Sequence, residues 1–107
     1  RHLAFLVREL SERVFEFSTM VARQRVHAEL LRLSERARRD GAAGAVIEPA
    51  PTHAAIAHRI STQRETVSRE MARLARMGLV ERRGHALAVA DLDALAALVE
   101  AGPQGEG

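Results

Sequence analysis

The chain has 107 residues, a formal net charge of +2 and no cysteine. That length holds one small domain and an appendage, and the lack of cysteine excludes disulfides, cysteine-ligated iron–sulfur clusters and thiolate zinc sites. No run of about 18 apolar residues is present to span a bilayer, and no basic segment leads into an apolar stretch and a cleavage site, so a soluble, cytoplasmic protein without membrane partners is expected.

In chain order, the first pattern is apolar. Leu3, Val7, Leu10, Val14, Phe17 and Val21 recur at alternating steps of four and three, the seam of a heptad repeat. Valine at position a with leucine or phenylalanine at d favours two parallel strands, so residues 1–20 are expected to be the C-terminal part of a dimerisation helix. An amphipathic helix lying on a domain surface has the same spacing. The chain opens at Arg1 and is helical by Leu3, so the helix is expected to continue upstream in a longer protein. Ser18 and Thr19 have the chemistry to cap a second helix carrying Val26, Leu30, Leu33 and Ala37 at helical spacing, which predicts a hinge near residues 18–20.

Gly41, Gly44, Pro49 and Pro51 bracket a loop in which residues 45–48 predict a short strand. Residues 52–60 predict a short helix with Ile56, Ala57 and Ile60 inward. After a break at Ser61, residues 62–77 predict a longer helix ending at Gly78. Residues 79–83 and 86–90, joined through Gly84, predict a β-hairpin. Asp91 predicts the cap of a last short helix, and 101–107 a disordered tail.

Two helices joined by a tight turn, a small residue (Ala57) at their crossing, and Val67, Met71 and Leu74 on the inner face of the second meet the needs of a helix-turn-helix. At 100° per residue those three side chains lie within about 60° of one another, whereas Arg64, Glu65, Ser68 and Arg69 share a separate outward arc of about 140°. The arc sits at the N-terminal end of the second helix, the part that enters the major groove in this motif. Arginine bonds guanine O6 and N7 bidentately and a carboxylate accepts from cytosine N4, so Arg64, Glu65 and Arg69 are candidate readers of G·C pairs. Two structural roles compete for the same residues: Thr62 and Glu65 fit a capping box, and Glu65 with Arg69 an i,i+4 ion pair.

The charge follows the same map. All sixteen basic residues are arginine. Between residues 52 and 83 seven arginines stand against three acids, and beyond Gly84 four acids meet no arginine, the footprint of a polyanion-binding segment as well as of solvated helix faces. Arg82 and Arg83 lead to a hairpin tip at Gly84 and His85, as a wing touching the DNA backbone would. The five histidines show no zinc spacing and are expected at the surface. No nucleophile–base pair, glycine-rich phosphate loop or metal cluster points to an enzyme.

The stretch from Thr52 through ISTQRETVSREMARLARMGLVERRG resembles the C-terminal DNA-binding domain of the cyclic-AMP receptor protein and FNR family of bacterial transcription regulators. RVHAELLRLSER resembles the helix joining that domain to the dimerisation helix in the same family, so the likeness covers most of residues 1–100. The resemblance implies a mainly α fold with a small β-hairpin wing: a winged helix-turn-helix over 21–100, preceded by a long dimerisation helix. It implies a homodimer reading a palindromic DNA site with a GTGA-like half-site core through Arg64, Glu65 and Arg69. Thr52, Thr62, Gln63, Thr66 and Ser68 would lie near phosphates, with Arg82, Arg83 and His85 on the wing. RNA polymerase is the further partner implied. No cofactor is expected within these residues, since in the resembling family a cyclic nucleotide or another effector binds a separate N-terminal domain. Two positions depart from the family pattern. Ser61 stands where glycine is usual, and a left-handed backbone there costs a serine about 1 kcal/mol or more. Gln63 stands where a small hydroxyl residue is usual. The competing reading is a winged helix that serves as a protein interaction module, its arginine face meeting an acidic protein surface.

Overall fold

In the computed structural model, which describes residues 2–102, helix α1 spans His2–Ala37. No glycine or proline interrupts that stretch, and leucine, arginine, glutamate and alanine dominate it. The helix passes unbroken through residues 18–20, so the expected hinge and second cap are absent. Ser18 and Thr19 cost only a few tenths of a kcal/mol inside a helix, too little to break a ladder that is hydrogen-bonded on both sides. The tail expected to be disordered lies, beyond residue 102, outside the described residues.

After α1 follow β1 (Ala45–Ile47), α2 (His53–Ile60), α3 (Arg64–Arg76), β2 (Val80–Arg83), β3 (Ala86–Val89) and α4 (Leu92–Ala101). The hairpin of β2 and β3 pairs Arg83 with Ala86 across Gly84 and His85, and gains a third strand because β1 pairs antiparallel with β3 in the order β1-β3-β2. Gly44 permits this docking. A Cβ there would lie 2.3 Å from the Val89 carbonyl oxygen, so only glycine lets the two backbones approach.

The core gathers Val26 and Leu30 of α1, Ile56 and Ala57 of α2, and Val67, Met71 and Leu74 of α3. Val80, Leu87, Val89, Leu92 and Leu95 close it from the sheet and α4. The C-terminal half of α1 therefore forms part of the domain, while its N-terminal half stands clear. Leu3, Val7, Leu10, Val14 and Phe17 expose between 59% and 75% of their surface, and Val21 is half-buried. Among the described residues no helix is long and apolar enough to cross a membrane.

Local polar chemistry sets the element ends. Thr52 Oγ1 accepts from Ala55 N at 3.0 Å and starts α2; Asp91 Oδ1 accepts from Asp93 N at 3.0 Å and Ala94 N at 3.2 Å and starts α4. At the end of α2, Ser61 takes the left-handed conformation (φ 57°, ψ 52°), which turns the chain toward α3. Helix α3 begins later than its sequence pattern predicts. Its N-cap is Gln63, without a side-chain capping bond, and Thr62 instead donates its backbone N–H to the Ala57 carbonyl at 2.9 Å. The capping box expected from Thr62 and Glu65 is therefore not formed, because Glu65 is the second residue of the helix rather than the third.

Candidate nucleic-acid interface

Helices α2 and α3 form the expected pair around the left-handed Ser61 turn. Val67, Met71 and Leu74 are buried beneath α3, and Arg64, Glu65 and Arg69 are exposed on its opposite side. Among the described residues the side chains of Arg64, Glu65 and Arg69 form no hydrogen bond or ion pair, including the Glu65–Arg69 pair that their spacing allows. These two cations and one anion therefore face solvent with their full bonding capacity unspent.

The fold brings further predicted residues to the same side. Thr52 and His53 at the start of α2, Arg64 and Ser68 of α3, and Arg82 of β2 line one shallow cleft. Thr52 spends an oxygen lone pair on its helix cap, and its hydroxyl proton stays available. Gln63 is exposed, whereas Thr62, Thr66 and Ser68 are half-buried. Ser68 Oγ lies 2.8 Å from His53 Nδ1, so His53 is tied to α3 rather than simply solvated.

Alternation along β2 separates the wing arginines. Arg82 turns toward the α2–α3 cleft, while Arg83, on the other face, donates to Glu81 at 2.7 Å. His85 is exposed at the tip, and its carbonyl accepts from Ala50 N at 2.7 Å, which anchors the wing to the segment before α2.

Two buried carboxylates fasten this unit to α1. Glu29 of α1 receives both Nε and Nη2 of Arg32, at 3.0 and 2.7 Å, and Arg59 of α2 at 3.2 Å. The Arg32 hydrogen bond, with Arg59 adding to it, outweighs burial and holds the Glu29 carboxyl below its ordinary range. Glu70 of α3 is 3% exposed and accepts from His27 Nε2 of α1 at 2.5 Å and from Nε and Nη2 of Arg73, each at 2.9 Å. Arg23 Nε stands 3.9 Å away. Burial opposes its ionisation, but the hydrogen bonds from His27 and Arg73 prevail and keep its carboxyl below the usual range.

His27 corrects the expectation that the histidines lie at the surface: it is fully buried, and His53 is half-buried. The charge count treats Glu70 as one more solvated acid. One signal was available, since residue 70 falls in the stripe of Val67, Met71 and Leu74 and a carboxylate there needs a buried partner. Among the described residues no three histidine, aspartate or glutamate side chains cluster as a metal site would.

A helix-turn-helix with an unspent polar arc on its second helix, flanked by a β-hairpin with an inward-turned arginine, defines a winged helix-turn-helix of the DNA-binding class. Residues 24–98 match the Crp-like helix-turn-helix domain, and the chain belongs to that family of transcription regulators. The solved structures agree. The catabolite activator protein of Thermus thermophilus is 28% identical with a TM-score of 0.70, over 92% of this chain and 43% of that one. A transcriptional regulator of the CRP/FNR family from the same organism is 29% identical with a TM-score of 0.61, over 92% of this chain and 50% of that one. The CO-dependent transcription factor CooA from Carboxydothermus hydrogenoformans, in its imidazole-bound form, is 26% identical with a TM-score of 0.63, over 73% of this chain and 36% of that one. The chain thus spans half or less of the length of these three relatives. No curated protein sequence matches it.

Proposed function

We propose that the chain binds a palindromic DNA site as a homodimer, reading a GTGA-like core in each half-site with Arg64, Glu65 and Arg69. The observation that carries this reading is the solvent-facing arc of those three side chains at the N-terminal end of α3, without internal partners. Their chemistry suits guanine, cytosine and guanine edges in the major groove. Thr52, Thr62, Gln63, Thr66, Ser68, Arg82, Arg83 and His85 contact phosphates around them, and RNA polymerase is the protein partner.

The homodimer rests on the seam of Leu3, Val7, Leu10, Val14, Phe17 and Val21, most of which is exposed in the single chain. A two-fold pair joined there sets its recognition helices about one helical turn apart on one side of the duplex, hence an inverted repeat. Selection from random duplexes tests the reading: the chain should enrich an inverted repeat of GTGA-like half-sites. Arg69→Ala should cost about 1–3 kcal/mol on that repeat and much less on unrelated DNA. Val14→Asp should sediment as a monomer at concentrations where the parent is dimeric. Binding without sequence preference, or an unchanged mass for Val14→Asp, would overturn the corresponding half of the proposal.

A further inference from the structure

We propose that Glu70 is a positioning residue for DNA reading: its buried carboxylate fixes the roll of α3 against α1 and thereby aims Arg69, the adjacent side chain along the helix. This inference rests on the base-reading role proposed for Arg69.

The geometry carries it. Residues 69 and 70 differ by about 100° around the helix, so one points to solvent while the other points to α1. Ser68 ties α3 to His53 of α2, but toward the core the remaining buried contacts of α3 are apolar, through Val67, Met71 and Leu74, and apolar packing is not directional. Such a face tolerates a small roll or slide of the helix. A roll of about 10° moves a group at the helix perimeter, about 5–6 Å from the axis, by about 1 Å. Hydrogen bonds to base edges tolerate only about 0.5 Å. The bond across to α1 is directional where the packing is not: His27 Nε2 approaches one Glu70 oxygen at 2.5 Å, while Arg73, on α3 itself, closes on both oxygens at 2.9 Å and holds the carboxylate in place for it. His27 belongs to α1, the unbroken helix that also carries the exposed seam. The clamp therefore refers the reading face to the same rigid rod that would meet the second copy. Glu29 and Arg59 tie α2 to that rod independently, so Glu70 acts on α3 specifically.

A double-mutant cycle on the 107-residue chain tests the role. Binding of the selected palindrome and of single-base variants is measured for the parent, Arg69→Ala, Glu70→Gln and the double variant, with thermal melting recorded for each. If Glu70 aims Arg69, the loss caused by Arg69→Ala should shrink about ten-fold in the Glu70→Gln background, with preference relaxed at the base that Arg69 reads. Should Glu70→Gln fail to fold, His27→Leu with Glu70→Leu keeps the contact filled without its directional bonds, and the same shrinkage is expected. An unchanged Arg69→Ala loss in a folded variant, with only the melting temperature lowered, means that Glu70 merely stabilises the fold and overturns the proposal. A parent chain that prefers no duplex over another overturns the DNA-reading proposal and this one together, which distinguishes the two failures.

Discussion

Replacing Glu65 by alanine separates reading from folding, and the structure sets both magnitudes. Glu65 is exposed and free of hydrogen bonds and ion pairs among the described residues, and the box it would share with Thr62 is not formed. Its remaining structural contribution is a carboxylate in the first turn of α3, worth about 0.3–1 kcal/mol through the helix dipole. Alanine returns a few tenths of a kcal/mol through its higher helix propensity. The net change in stability should be about 0.5 kcal/mol or less, a shift of about 3 °C or less for a domain of this size. A carboxylate accepting from cytosine N4 is worth about 1–3 kcal/mol of discrimination, roughly five- to 150-fold. Melting followed by circular dichroism, with competition between the selected palindrome and duplexes altered one base pair at a time, reads the two quantities separately. A loss of preference at one base pair per half-site, with the melting temperature held, is the expected result. A fall of about 6 °C or more with base preference intact would refute the reasoning and return Glu65 to a structural role.

Arg82→Ala should lower the slope of log affinity against log salt by about one unit while leaving base preference intact, and Arg83→Ala by less, because Glu81 at 2.7 Å already neutralises Arg83. Equal slopes for the two variants would contradict that division of the wing. Ser61→Gly should raise the melting temperature by about 3–6 °C, since releasing a left-handed serine gains about 1–2 kcal/mol and the freer unfolded chain takes back about 0.4–1; a lower melting temperature would mean that the hydroxyl stabilises the turn. Glu29 has a folded-state pKa below its ordinary 4.5, so its contribution is complete above that pH and disappears as pH falls through the folded value. The parent should accordingly be more stable than Glu29→Gln near neutrality, with the gap closing in acid melts below about pH 4.5; a gap independent of pH would assign the loss to packing.

The elements legible in the sequence are those whose signals are local. Asp91 precedes an apolar-periodic run with an oxygen at the right reach and caps as expected, whereas Thr52, read as the first residue of its helix, is the cap of that helix instead. Ser18 and Thr19 offer the same chemistry without a breaker beside them, and there the hydroxyl pattern alone does not decide between a cap and a helix interior. The start of α3 is ambiguous for a related reason. Residues 62–64 are all polar, and a shift of the cap by one position, from Thr62 to Gln63, dissolves the capping box while leaving the outward arc intact. Residues 45–48 read as a strand from composition, but the partner of β1 depends on Gly44 meeting Val89 and Ala90, a contact set by the tertiary fold.

The outward arc of Arg64, Glu65 and Arg69 follows from helical periodicity, whereas the buried contact proposed to aim it does not. His27 and Glu70 are 43 residues apart, and the local i,i+3 spacing of Glu70 and Arg73 marks a helix-surface pair as readily as a buried one. An acid in an apolar stripe looks like an error of patterning until the facing helix supplies a donor. A buried ion pair of this kind is weak evidence for stability, because desolvation offsets most of its attraction. Its directional bonds nonetheless distinguish one helix roll from its neighbours, a distinction that Val67, Met71 and Leu74 make only weakly. For the base reading proposed here, which tolerates about half an ångström, that distinction matters more than the stability an apolar residue would add. A carboxylate at position 70 thus fits the positioning role proposed for it, and the partner of that carboxylate belongs on α1, which carries both core residues of the domain and the exposed seam.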